Sequence, residues 1–391
     1  MNDFLHLTFK TNWGFVFFAV LLLNIFIFLN YFYIIKKYKI HVKKRKNLTI
    51  LIIGIHIILA GTTIFYFVKN FSGKSSGEVL SVIKYIAGFC NSFFILIGIA
   101  FFLIDIYILV RIVIIKLRKR QKKNYFPFKF TIFIIIISFA LSLLSFIAPR
   151  NIVLTKYDIS LPKKNSSLTS LKIIFISDFH LGSSVEEKEL KEIKTKVNKE
   201  KPDIVFFGGD IFDEGSTENQ KNAFTKEIGH IKSTYGTYYI IGNHDDYYGR
   251  HDLYDAYKKG EITLKTFQKK LVESKEVLSN FKKSNIIPLI NKVKNVENKF
   301  YIIGRDDAVF DKEKFLTFEN QIKKNLPVIV IDHQPRVNET EKSKKVDLQI
   351  SGHTHNGQLI PFSLLDPFKL KNNYGEYKRG NIILIVSSGV G

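Results

Sequence analysis

Four long apolar runs crowd the first 150 residues of this 391-residue chain, at roughly 14–35, 48–68, 85–115 and 130–148. A helix of about 20 mostly apolar residues crosses a hydrocarbon core of about 30 Å. This half is therefore expected to form a membrane domain of about four transmembrane helices, the third run being over-long for a single span. The first run is a poor match for a cleaved signal peptide. It is too long, a basic cluster follows it, and no small-residue cleavage site closes it.

Charge supports that division. The formal net charge is +23, but residues 1–150 hold 20 Lys+Arg and 3 Asp+Glu, a net of 20 − 3 = +17, leaving 23 − 17 = +6 for the other 241 residues. Positive charge lying in short clusters between apolar runs is a membrane pattern, and no nucleic-acid partner is expected. The first connection holds Lys36, Lys37, Lys39, Lys43, Lys44, Arg45 and Lys46, and the third holds Lys116, Arg118, Lys119, Arg120, Lys122, Lys123 and Lys129. The second has only Lys69, Lys74 and Lys84. The positive-inside rule puts the first and third loops in the cytoplasm, so the N-terminus and everything after residue 150 are expected outside. The single cysteine, Cys90, excludes an intrachain disulfide. Asp105 is an intramembrane carboxylate, which marks it for attention.

The texture changes after residue 150. A polar linker is expected over 151–170, containing "LPKKNSSLTS". Seven short apolar runs follow: "LKIIFIS" (171–177), "DIVFFG" (203–208), "TYYIIG" (237–242), "KFYIIG" (299–304), "PVIVID" (327–332), "VDLQIS" (346–351) and "NIILIVS" (381–387). They read as buried strands. Lys/Glu-rich stretches with helical spacing, 185–200 and 251–282, lie between them. This alternation predicts an α/β domain over 171–391, with helices packed on sheet faces.

The residues at the strand ends carry the chemistry. "SDFHLG" supplies Asp178 and His180, "GGDIFD" supplies Asp210 and Asp213, and "GNHDD" supplies Asn243, His244 and Asp245. "VIVIDHQP" supplies Asp332 and His333, and "ISGHTHNGQLIP" supplies His353 and His355. Turn chemistry explains Asp, Asn and Gly at such places. It does not explain histidines directly after strands in a chain with ten of them. Ligands of open α/β sheets bind outside the carboxyl ends of the strands. Asp178 with His180, and His353 with His355, stand two apart, as alternate residues of an extended segment that point the same way. The donors are Asp, Asn and His without a thiolate, which suits Mn²⁺, Fe or Zn²⁺ and argues against a cysteine-type structural zinc.

The blocks "SDFHLG", "GGDIFD", "GNHD", "DHQP" and "SGHTHNGQ", in this order over about 170–391, resemble the calcineurin-like metallophosphoesterases, most closely the bacterial branch with N-terminal membrane segments. The resemblance implies a β-sandwich flanked by helices and a centre of two divalent ions. By this likeness Asp178, His180 and His355 hold the first ion, Asp210 bridges both, and Asn243, His333 and His353 complete the second. His244 would contact a phosphate oxygen or protonate the leaving group. Asp213 and Asp245 would orient ligands, and Gly208, Gly209, Gly242 and Gly352 would let the backbone turn beside the ions. Two ions about 3.5–4 Å apart can clamp a phosphoryl group and acidify a water.

Three departures stand out. Asn356 replaces a common second glycine, Arg336 follows "DHQP" where an acidic residue is more usual nearby, and the sequence stops at "SSGVG", where relatives usually continue. The last is expected to mark a shortened domain. The reading that results is a multi-pass membrane phosphoesterase. Its catalytic domain is extracytoplasmic, and it acts on phosphate esters of lipids or envelope polymers beside the bilayer. A pyrophosphatase of a nucleotide-linked lipid such as UDP-diacylglucosamine is the alternative, disfavoured because such substrates are cytoplasmic. A non-catalytic membrane sensor that keeps the fold is a third reading, but here no ligand is missing.

Overall fold

The structure, a computed structural model, describes residues 128–147 and most of 152–390, with isolated positions between 93 and 114. The chain divides into two compact units, Met1–Ala148 and Pro149–Gly391.

In the first unit, helix α1 (Phe128–Ile147) covers most of the fourth apolar run. Its side chains are distributed inside out. Ser138 and Ser142 are buried, while Phe133, Ile136, Ile137, Phe139, Leu143 and Leu144 are exposed. Ser142 Oγ donates to the Ser138 carbonyl at 2.8 Å. The side chains described in α1 cover only 133–144, about 18 Å of helix, and among the described residues no helix is long and apolar enough to cross a membrane. The first two runs, most of the third, Cys90 and Asp105 lie outside the described residues.

The second unit is built on two sheets. Sheet I contains β1 (Ile173–Ile176), β2 (Ile204–Phe207), β3 (Thr237–Tyr239) and β4 (Ile286–Pro288), in that order and all parallel. Sheet II contains β5 (Lys292–Val296), β6 (Phe300–Gly304), β7 (Val328–Ile331), β8 (Leu348–Ser351), β9 (Gly375–Arg379) and β10 (Ile382–Val386). Its order is β5-β6-β7-β8-β10-β9; the four inner strands are parallel and both edge strands antiparallel.

The period of two along each strand sorts the side chains. In β2, Ile204 and Phe206 enter the space between the sheets, where they join Tyr238, Ile302, Ile329, Ile331, Leu348 and Ile350. Val205 and Phe207 face the other way, onto the helices of sheet I. Helix α2 (Glu187–Glu200) buries Leu190, Ile193 and Val197 at helical spacing, with Glu187 and Glu189 in its first turn and Lys199 in its last. Helix α3 (Glu218–Ile228) starts at a capping box, in which Thr217 and Gln220 satisfy each other's backbone N–H, and it buries Phe224 and Ile228. Tyr301, Ile303, Val328 and Val330 cover the outer face of sheet II together with Phe318, Ile322 and Leu326.

All seven expected strands form, each shorter than its apolar run. Three more were not foreseen. β5 and β9 are edge strands whose exposed side chains alternate with partly buried ones, and β4 is a three-residue edge strand ending in Pro288. The stretch read as a linker has no regular element, yet Tyr157, Ile159, Leu161 and Leu168 pack against the inter-sheet core. Lys164 pins it there through an ion pair with Asp347 at 2.7 Å. Of 251–282, the described part has helical residues between 253 and 258, and Leu253, Tyr254, Tyr257 and Ile262 pack on one another.

Candidate metal centre

Register brings the ligands together. Ile176, Phe207 and Tyr239 lie side by side across sheet I, so the residues that follow them emerge at one edge. Ile331 pairs with Ile350, and Ser351 with Val386, at the corresponding edge of sheet II.

The loop after β1 is anchored between its two ligands. Phe179 is fully buried and packs against Phe207 and Phe224, with ring centroids 5.9 and 5.5 Å away. Burying such a ring stabilises by about 1.5–3 kcal/mol. The main chain of Asp178 donates to the Gly209 carbonyl at 2.9 Å, and that of His180 to the Asp210 carbonyl at 3.0 Å. The i, i+2 pairs are not aimed by strand alternation, because they lie beyond the strands. Asp178, His180, Asp210, His353 and His355 all have positive φ, of 58, 44, 52, 71 and 48°. This left-handed backbone is uncommon for residues with a side chain and costs on the order of 1–3 kcal/mol each. Such strain gathered on five donors turns their side chains toward one place. Gly242 leaves room for Asp210, since a Cβ there would overlap the Asp210 carboxylate.

Two groups of donor atoms result, each within 4.8 Å among themselves: Asp178 with His180 and His355, and Asp210 with His333 and His353. In the first, His180 Nε2 stands 3.0 Å from His355 Nε2, and His355 Nε2 is 3.5 Å from Asp178 Oδ1. In the second, His333 Nε2 lies 3.2 Å from Asp210 Oδ2, 3.2 Å from His353 Nδ1 and 3.1 Å from Asn243 Oδ1. Asp210 Oδ2 is also 3.7 Å from His180 Nε2, so its carboxylate touches both groups. Ligands at about 2.0–2.2 Å from one ion stand about 3.0–3.5 Å apart. The donors are therefore spaced so that each group could hold a divalent ion. His353 and His355 belong to different groups.

Electrostatics favour neutral imidazoles at His353 and His355 and a charged one at His333. Burial pushes the His353 imidazole below its ordinary pKa, and the charge of His333 adds to this. Burial does the same to His355, outweighing Asp178. For Asp210, burial works against ionisation, but His333, then His244 and His180, hold the carboxyl well below the usual range. His333 is fully buried, which disfavours its charge, yet Asp210 pushes it up to about 10.

The remaining candidates have distinct places. His244 joins His180 and Asp210 in a third group of donors. Its ring centroid is 5.0 Å from that of His180, and its main-chain N–H donates to Asp210 Oδ1 at 2.8 Å. Asp245 belongs to none of the donor groups. Its carboxylate accepts from the N–H groups of Ile211, Phe212 and Gly242 at 2.9, 3.0 and 2.9 Å, which ties the loop after β2 to the loop after β3. Burial, and then Asp210, push it up to about 6. Asp213 lies outside the described residues. Sequence reasoning passed over Arg305, Asp306 and Asp307, all buried at the end of β6. The signal was present, because "IIGRDD" places two acids after a strand like the other ligand blocks.

Residues 171–357 match the family model described as calcineurin-like phosphoesterase. A metallophosphoesterase of Helicobacter pylori strain J99 is 31% identical over 223 residues, 56% of this chain and 54% of its own length. One from Bacillus subtilis strain 168 is 26% identical over 251 residues, 63% of this chain and 81% of its own. A transmembrane protein with metallophosphoesterase domain from Danio rerio is 28% identical over 219 residues, 53% of this chain and 46% of its own. The chain spans about half the length of the first of these. With donors of all five signature blocks gathered where the two sheet edges meet, residues 171–357 form a calcineurin-like phosphoesterase domain.

Proposed function

We propose that the second unit hydrolyses phosphate esters with two divalent ions, held by Asp178, His180 and His355 on one side, by Asn243, His333 and His353 on the other, and by Asp210 between. One observation carries this reading: two donor groups of metal-ligand spacing share one carboxylate, with His244 beside it. When bound, the ions supply an activated water and offset charge on the phosphoryl oxygens. The protein's own part is to hold the ligands in place and to move a proton. Asp210 fixes the main chain of His244, and the partly exposed imidazole would face a substrate and protonate the departing oxygen. Ligands of Asp, Asn and His without a thiolate favour Mn²⁺, Fe or Zn²⁺.

We infer further that the chain is a multi-pass membrane protein whose phosphoesterase domain lies outside the cytoplasm and acts on phosphorylated lipids or envelope polymers. Support comes from the four apolar runs, the basic first and third loops, and the inside-out pattern of α1. Buried serines four apart beneath an apolar surface suit a helix in lipid. The name of the Danio rerio relative agrees.

The test is turnover of aryl phosphates and phospholipid head groups by the detergent-solubilised full chain with added Mn²⁺. Activity that is lost in Asp210→Ala supports the reading, and absence of turnover with every substrate sinks it. A reporter fused after residue 391 checks orientation. A cytoplasmic signal would overturn the extracytoplasmic placement and favour the nucleotide-linked lipid as substrate.

A further inference from the structure

We infer that Arg336 is a positioning residue for the ion held by Asp210, Asn243, His333 and His353, acting through Asp332 on His333. The inference rests on the two-ion reading above. Asp332 directly precedes His333 and is fully buried. Arg336 grips its carboxylate with the fork of the guanidinium. Nε donates to Oδ2 at 2.8 Å and to Oδ1 at 3.1 Å, and Nη2 donates to Oδ1 at 2.9 Å. Arg305 Nη1 stands 3.4 Å from Oδ2, and the Gln334 main chain donates to Oδ1 at 3.2 Å. Residues 332–336 are thus closed into a turn, with His333 as its second residue.

The turn is also tied to β6. Arg336 Nη2 donates to the Asp306 carbonyl at 2.7 Å, and Gln334 Nε2 to Asp307 Oδ2 at 3.0 Å. His333 itself is held at two further points. Its Nδ1 is 2.8 Å from the Gly208 carbonyl, and its own carbonyl accepts from the Gly352 N–H at 3.0 Å. The ring can then offer only Nε2 to an ion. Asp306, Asp307 and Asp332 are too buried to meet a substrate, so the cluster acts through the ligand it carries. A bidentate grip needs the planar guanidinium, which a lysine ammonium does not reproduce.

The test is Mn²⁺ binding by calorimetry, with the metal content of the dialysed full chain, for wild type, Arg336→Met and Arg336→Lys. His333→Ala marks which ion is affected. Supporting partners of metal ligands are worth about 10–100-fold in affinity. Arg336→Met is expected to weaken the ion lost in His333→Ala by that factor, to leave the other unchanged, and to be rescued only partly by Arg336→Lys. Should Arg336→Met fail to fold, Gln334→Leu decides, with a smaller loss at the same ion expected. Two ions bound with wild-type affinity, or both weakened equally, would overturn the inference alone. A wild-type chain that binds no Mn²⁺ overturns the two-ion reading and this inference together.

Discussion

The two strand edges that build the centre differ in what they contribute. The edge of sheet I supplies both ligand carboxylates, Asp178 and Asp210, with His180 and Asn243. The edge of sheet II supplies imidazoles alone, His333, His353 and His355. The two groups proposed to hold ions each draw on both edges: Asp178 and His180 meet His355, and Asp210 meets His333 and His353, while the third group, His180 with Asp210 and His244, lies on the edge of sheet I. Neither proposed ion site is made by one sheet alone. The carboxylate edge is held by main-chain bonds between its loops and by Asp245. On the imidazole edge, His333 is held by the buried ion pairs of Asp332 with Arg305 and Arg336. On the two-ion reading, a centre on this seam would couple the closing of the sandwich to ion binding.

The largest effect should come from Asp210, the residue common to both groups. Asp210→Ala is expected to lose both ions and bring hydrolysis to background, whereas His180→Ala and His333→Ala each lose one. Metal content after dialysis reads this directly, and an Asp210 variant that retains both ions breaks the shared-carboxylate picture.

His244→Ala should leave both ions bound and lower kcat by about 10²–10⁴-fold for esters with poor leaving groups. The loss should shrink for nitrophenyl esters, whose leaving group needs no proton. An equal loss for both classes would remove His244 from the leaving-group role.

Ions held by donors from both edges should stabilise the folded unit. Free ion at a hundredfold excess over Kd adds about 2.7 kcal/mol. Thermal melting of the full chain with and without chelator measures it, and a Tm indifferent to chelation would uncouple the edges.

The effect that is smallest per unit change is the pH dependence of ion uptake. Asp210 holds His333 protonated up to about 10 against its burial. That proton must leave before Nε2 can bind an ion. Affinity at this position should rise with pH below that value, by about tenfold per unit for one proton released. In the metal-free protein the sign is opposite. The folded pKa lies above the ordinary 6.5, so the stabilisation from the pair is complete below about pH 6.5 and is lost as pH rises toward 10. Calorimetry in buffers of different ionisation enthalpy counts the protons, and uptake independent of pH between 6 and 9 contradicts the coupling.

Much of this was legible in the residues. Seven strands announced themselves by their apolar runs, most of them as inner strands apolar on both faces, as the fully buried "IVFF" and "VIVI" are. The edge strands β5 and β9 were not, since half of each faces water and their composition is that of a loop. The stretch 157–161, "YDISL", carried a period of two that matches its packing, but charged and polar neighbours hid it. "RDD" was passed over because acids after a strand are ordinary turn residues until burial reveals them.

By itself the sequence determined the donor types, their position after strands and the apolar character of the first 150 residues. These are local properties, written in residue type and spacing. Only the tertiary structure decided how closely the donors approach, with Asp210 Oδ2 3.2 Å from His333 and 3.7 Å from His180, and that Arg336 grips Asp332 rather than facing a substrate. Those outcomes depend on left-handed turns at individual residues and on the register of two separate sheets. Neither is encoded in the spacing of a motif, because each is set by what packs on the other side.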